Sequence, residues 1–359
     1  MTDALPTDAE AGGWPAEEGF RWPAEWEPHR ATWLSWPHNP DTWPGAARMA
    51  RVEEAFVRIV ESLADGERVA INVCDEPMEE RVRRQLRALG PGGESAVEYH
   101  RNPTDDAWVR DHGPVFLVRG EAEARERALL DFRFDAWGGK YPPWDRDDAV
   151  PARIARSLGV RRFAVPEVLE AGSIDGDGEG TVLTTESCLL HPNRGARRRD
   201  AAEALLRRSV GARRVLWLAD GIEGDDTDGH VDDITRFVGP GRVVTAIEAD
   251  PADANHAPLD ANRRRLASMV DSRGRRLEVV ELPMPRPVRA EGGRCPASYA
   301  NFYVGNRAVL VPAFDDPADA RARAILAECF PEREIRPIDC RDLVVGLGAL
   351  HCLTQQEPA

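Results

Sequence analysis

Lysine is nearly absent: of the 47 basic residues in this 359-residue chain, all but Lys140 are arginine. A position that keeps lysine under such a bias suits a compact ammonium where a planar guanidinium fits poorly. Long apolar runs are missing too. Nothing approaches the roughly 18 consecutive apolar residues that a membrane helix needs, and the opening MTDALPTDAEAGG has neither the basic start nor the apolar stretch of a secretory leader. The six cysteines (Cys74, Cys188, Cys295, Cys329, Cys340 and Cys352) form no C-x-x-C pair, which argues against a zinc ribbon or a disulfide scaffold and suits a reducing cytoplasm. No glycine-rich phosphate loop joins a strand to a helix, so nucleotide binding is disfavoured. Basic charge is in deficit, 47 residues against 62 acidic ones, for a net −15. That balance disfavours nucleic acid and favours cationic partners.

The remaining composition, 42% hydrophobic and 30% charged, is that of a soluble chain able to bury a sizeable core. Residues 1–20 are polar and rich in Pro and Gly, and are expected to fray. Six of the ten tryptophans fall before residue 44 and read as aromatic anchors of a segment wrapped over the body. From there helical and strand-like patterns alternate. Met49, Val52, Phe56, Ile59, Val60 and Leu63 recur at helical spacing in a helix over 46–64. Further helices are expected over 77–89, 148–157, 199–208, 256–271 and 317–329. They are flanked by strand-like runs such as ATWLSW, RVAINVC, RVVTAIE, RLEVVEL and RAVLVPAF. The chain is mixed α/β, in repeated strand-helix modules.

Three stretches hold candidate chemistry. In DDTDGHVDDITRFV (225–238), His230 and Asp232 are expected on one face of a strand, where the carboxylate can orient the imidazole and raise its pKa; a metal site or a solvated acidic turn remains the alternative. DDAWVRDHGPVFLV (105–118) sets Trp108, Arg110, Asp111 and His112 before a Gly-Pro break, which reads as a site rim or as a structural Arg-Asp pair. GLGALHCLTQQ (346–356) holds Cys352 in a strand-like run, either a core thiol or a nucleophile. A fourth, SIDGDGEGTVLTTESCLL (173–190), matches calcium-loop spacing through Asp175, Asp177, Glu179, Gly180 and Glu186. Its β-branched flanks argue instead for a turn between strands. A thiol, a histidine and two carboxylates together suit a planar cationic carbon electrophile: acids hold the guanidinium N–H groups, the thiolate attacks carbon and the imidazole protonates ammonia.

In order along the chain, W-x-R-D-x-G-P (108–114), WGGKYPPWD (137–145), DGEGTVLTTESCLL (177–190), DGHVDD (228–233), YANFYVGN (299–306) and HCLTQQ (351–356) resemble the motifs of the agmatine deiminase family, which includes the bacterial peptidylarginine deiminase-like proteins. The resemblance spans about residue 20 to 356. It implies one α/β domain over 21–359, a five-bladed α/β propeller of pseudo-symmetric ββαβ units with the site on its axis. It further implies Cys352 as nucleophile, His230 as acid-base, Asp111 and Asp232 as guanidinium-holding carboxylates, and Trp108, Glu170 and Asp226 along the substrate channel. The chain departs from the family pattern in Glu170-Ala171-Gly172-Ser173, in Gly346-Leu347-Gly348-Ala349-Leu350 and in Asp226, where glutamate is usual. The implied reaction is metal-free and cofactor-free hydrolysis of agmatine to N-carbamoylputrescine and ammonia. Alternatives are the same chemistry on arginine, peptidyl-arginine or a longer alkylguanidine, or a non-catalytic calcium-binding propeller. The implied partner is a small cationic guanidine; nucleic acid and membrane are not expected, and assembly into a homo-oligomer is left open.

Overall fold

Helical periodicity in the sequence is realised closely in the chain. The computed structural model describes residues 13–87, 90, 95–121 and 124–359. Helices form at Ala46–Leu63, Glu76–Leu86, Val150–Leu158, Arg199–Ser209, His256–Ser268 and Ala318–Cys329. The last two residues of the helix expected over 77–89 lie outside the described residues. Helix Glu76–Leu86 starts where Asp75 accepts a hydrogen bond from the Met78 N–H and Pro77 fills its first turn. Val150–Leu158 stops at Gly159, whose φ of 63° is cheap only without a Cβ.

Each of five sheets repeats one pairing rule, an antiparallel pair followed by a parallel neighbour reached through a helix. Val115–Arg119, Glu126–Arg133 and Arg161–Val168 form one such unit, bridged by Val150–Leu158. Ile174–Gly176, Thr181–Thr185 and Arg214–Leu218 form the next. Thr235–Gly239, Arg242–Ile247 and Glu278–Pro283 follow, and then Tyr303–Val304, Ala308–Ala313 and Glu334–Asp339. The fifth unit joins the two ends of the chain: Gln355–Pro358 pairs antiparallel with His29–Ser35, and parallel strands Arg68–Asn72 and Val97–His100 extend that sheet. Among the described residues no helix is long and apolar enough to cross a membrane.

Every unit's first strand is entered through a short turn whose residues are buried. Val109–His112 precedes Val115–Arg119, Ala171–Ser173 precedes Ile174–Gly176, and Val231–Asp233 precedes Thr235–Gly239. Residues 298–302 lead into Tyr303–Val304, and residues 351–353 turn before Gln355–Pro358. Two expectations are corrected here. His230 and Asp232 lie on a 3₁₀ turn, not a strand, because Asp225 accepts the His230 and Thr227 N–H groups and holds the chain curled until Thr235. Cys352 likewise lies in a turn, with the strand beginning three residues later.

The N-terminal segment is packed from residue 14 onward, while residues 1–12 fall outside the description. Pro15–Glu18 is a 3₁₀ turn, Phe20 is buried, and Arg208 stacks on Trp14 at 4.4 Å. Trp33, Trp36 and Trp43 are fully buried, in keeping with anchors. The same segment delivers Glu25 to the interior, where it accepts from Arg236 at 2.8 Å, from the Val304 N–H at 2.8 Å and from Arg110 at 3.4 Å. Burial opposes charge on Glu25, but Arg236, His351 and Arg110 outweigh it and hold the carboxyl well below its usual range.

The calcium-like loop is a strand turn. Ile174–Gly176 and Thr181–Thr185 flank it where paired helices would be required. Its acids are already engaged: Asp175 by Arg236 and the Phe237 N–H, Asp177 by the Glu179 and Thr181 N–H groups, Glu186 by Arg199 and Arg265. Excess calcium or a chelator is therefore expected to leave the melting temperature unchanged. Calorimetry checks this, and sub-millimolar calcium binding abolished by Asp175→Ala would contradict it.

Candidate active site

Cys352, His230, Asp111 and Asp232, far apart in sequence, meet in one buried cage, each no more than 6% exposed. Asp232 is the hub. Its Oδ2 lies 3.8 Å from Cys352 Sγ and 2.6 Å from His351 Nδ1, and its Oδ1 lies 4.0 Å from His230 Nδ1. His230 faces carboxylates on both sides, Asp111 Oδ1 at 3.7 Å from Nδ1 and Glu170 Oε2 at 3.9 Å from Nε2. Neither ring nitrogen has a hydrogen bond.

The charge state follows from these neighbours. Burial disfavours an imidazolium at His230, yet Asp111, Cys188 and Glu170 prevail and raise its pKa well above the usual value. The Cys352 thiol is driven well above its usual value by burial and by Asp232, Asp233 and Asp111. Both shifts favour the protonated forms, a neutral thiol at Cys352 and an imidazolium at His230. Asp111 titrates at about 6: burial raises it, His230 pulls it down, Asp232 and Glu170 push it up. Its oxygens are aimed by the Gly172 N–H at 3.1 Å and Trp137 Nε1 at 3.0 Å.

A cavity of about 610 Å³ leads from this cage to the surface, lined by Trp108, Asp111 and Cys352 within and by Tyr141, Asp226 and Leu347 nearer the mouth. That volume is in the range of small-molecule pockets. Trp108 lies on the wall, stacked 5.3 Å from Trp43, and leaves no room for a side chain at Gly348, where a Cβ would stand 2.5 Å from the Trp108 ring. Asp226 is also on the wall, hydrogen-bonded by Tyr141. Glu170 departs from expectation: it is fully buried behind His230 rather than on the channel wall, paired with Arg194 Nε at 2.9 Å and held at about 2, burial notwithstanding, by that guanidinium and His230.

Lys140, the one lysine, donates to the Asp226 backbone carbonyl and lies 3.0 Å from Asp228 Oδ1. It ties the loop after Ala136–Gly139 to the acidic loop that carries His230, a contact for a point charge rather than a fork. Arg110 is a structural partner: it donates to Gln355 and Gln356 at 2.8 Å and to the His351 carbonyl at 3.3 Å. Asn301, Glu25, His351 and Arg194 were not singled out from the sequence. Asn301 and His351 sit inside the motifs YANFYVGN and HCLTQQ, so a signal existed for them; none marks Glu25 among so many acids.

A thiol, an imidazole and a ring of carboxylates at the end of a narrow cavity define a guanidine-modifying enzyme. The chain matches the family model described as Porphyromonas-type peptidyl-arginine deiminase over residues 21–358 and belongs to that family. It is similar to the agmatine deiminase of Ectopseudomonas mendocina, 39% identical over 369 residues that cover 96% of this chain and 97% of that one. Among solved structures it is similar to the agmatine deiminase of Enterococcus faecalis (TM-score 0.90, 34% identity, covering 97% and 98% of the two chains). A substrate-bound cysteine-to-serine variant of C. jejuni agmatine deiminase is also similar (TM-score 0.83, 28% identity, covering 94% and 96%).

Gly172 sets the tightest tolerance in the cage. A Cβ there would lie 2.6 Å from His230 Nδ1, 2.7 Å from Asp111 Oδ1 and 3.1 Å from Asp232 Oδ2. Gly172→Ala is expected to lower kcat by about 100-fold or more through misplacement of these groups, with a much smaller effect on melting temperature. Steady-state kinetics with a thermal melt check it; near-wild-type turnover would contradict it.

Proposed function

We propose that the protein hydrolyses agmatine to N-carbamoylputrescine and ammonia through a covalent intermediate on Cys352. The observation that carries this reading is the convergence of Cys352, His230, Asp111 and Asp232 on one buried, acid-lined cage. Relatives named agmatine deiminase over nearly the whole chain support it. Asp111 and Asp232 hold the guanidinium through its N–H groups. The guest cation offsets the negative field that keeps the thiol protonated, so binding itself favours the thiolate. Sulfur attacks the guanidinium carbon, one C–N bond breaks, and His230 gives its proton to the departing ammonia. Water, deprotonated by His230, then attacks the same carbon; the C–S bond breaks and the thiolate leaves. No step requires a metal or cofactor.

The mouth favours a guanidine whose far end is a cation. Asp226 is half-exposed there, while the wall's two Lys/Arg side chains are engaged by acids, Lys140 by Asp228 at 3.0 Å and Arg146 near Asp105 at 3.8 Å. A bidentate arginine for a substrate carboxylate is what arginine or a zwitterion would ask for. The five repeated units, the pairing of the two chain ends and the buried turns support a five-bladed arrangement with the site on its axis. The free cysteines suit a reducing cytoplasm.

The test is kcat/KM for agmatine, arginine, a peptidyl-arginine and simple alkylguanidines at one salt concentration, with agmatine expected to lead. For agmatine it should fall as pH drops through about 6, because Asp111 must be ionised to hold the cation. Cys352→Ser should lose turnover while staying folded. Superior activity on arginine or a peptide would overturn the substrate, and an active Ser variant would overturn the mechanism.

A further inference from the structure

Four of the five buried turns supply Asp111, Gly172 with the preceding Glu170, His230 with Asp232, and Cys352. The fifth, leading into Tyr303–Val304, supplies Asn301, whose side chain is fully buried against the thiol. Asn301 Nδ2 lies 3.1 Å from Cys352 Sγ and 3.0 Å from Asp233 Oδ1. Its Oδ1 accepts from the N–H of His351 at 2.9 Å and of Cys352 at 3.4 Å. The orientation of the amide is therefore fixed: two backbone donors require the oxygen on one side, and the Asp233 acceptor requires the nitrogen on the other.

We propose that Asn301 is a catalytic residue of this reaction, its amide N–H stabilising negative charge on Cys352 Sγ when the thiolate forms and again when it departs. The inference rests on the thiol chemistry set out above. Burial and the carboxyl groups of Asp232, Asp233 and Asp111 oppose the thiolate. The Asn301 amide, 3.1 Å from Sγ, and the Ala349 backbone N–H favour it. Asp233 anchors the amide through Oδ1 at 3.0 Å; burial and the neighbouring Asp232 and Asp225 drive its carboxyl well above the usual range, toward the neutral form, which limits the charge it sets against the thiolate. Through Oδ1 the same side chain pins the turn on which the nucleophile sits. A buried donor to a developing anion contributes most where no water competes with it.

Asn301→Ala removes the donor and the clamp without adding charge, whereas Asn301→Asp keeps an oxygen for the His351 and Cys352 N–H groups but replaces the donor with a second oxygen that can carry negative charge, so its shift should be at least as large as that of the alanine variant. Each is compared with wild type for kcat and KM on agmatine, for melting temperature, and for the pH dependence of Cys352 alkylation by neutral chloroacetamide. In both variants the alkylation profile should move up by about one pH unit, and kcat should fall about 10- to 100-fold with KM within about threefold. Should the alanine variant not fold, Asn301→Leu, of similar size and without charge or donor, carries the test. A folded variant with the wild-type alkylation profile overturns the proposal, whatever its turnover. The alkylation arm does not depend on which guanidine is the substrate, so failure on agmatine with a shifted profile would overturn the substrate reading alone.

Discussion

The arrangement depends on one buried carboxylate. Asp232 is fully enclosed, and its two oxygens address His351, Cys352 and His230 at once. An isolated carboxylate in such a place would cost several kcal/mol, so the fold has to answer its charge. His351 does so on one side, and its own second nitrogen rests on Glu25 at 2.8 Å, which Arg236 and Arg110 hold in turn. On the other side Asp232 faces the site, where Asp111 adds a further carboxylate. That side is left for a guest cation to complete.

The repeat explains how a chain of this length brings these groups together. Each unit contributes its site residue from the turn that enters its first strand, so the chemistry sits at five equivalent points of the same supersecondary pattern. Rigid strands behind each turn fix the side chains closely. Two glycines mark the price of that closeness: Gly172 beneath His230 and Asp111, and Gly348 against Trp108, both where a Cβ would collide. Both fall within stretches where the chain departs from the family pattern while keeping glycine at the point of contact.

Much of this was legible beforehand, for identifiable reasons. Long amphipathic helices such as Ala46–Leu63 declare themselves through spacing, and their bounds agree within a few residues. The four residues that meet in the cage were singled out because their types are rare in combination. The strand assigned to His230 and Asp232 was misjudged because the apolar run beginning at Ile234 resembles its continuation, whereas the capping carboxylate of Asp225 curls the residues before it. Glu170 was placed in the channel by resemblance, but Arg194, just beyond the end of the DGEGTVLTTESCLL stretch, pairs with it and draws it behind the histidine. Nothing in the local sequence around Arg194 announces that contact. Glu25 carries no local pattern at all; only tertiary contacts with His351, Arg236 and Arg110 give it meaning.

The central claim is that the thiol stays protonated until a cation enters. Inactivation by cationic chloroacetamidine and by neutral chloroacetamide, followed across pH on the wild-type protein with labelling at Cys352 verified by mass spectrometry, tests it most directly. The account predicts that the amidine reacts rapidly at neutral pH, while the neutral reagent becomes fast only well into the alkaline range. Coincident pH profiles for the two reagents would contradict it.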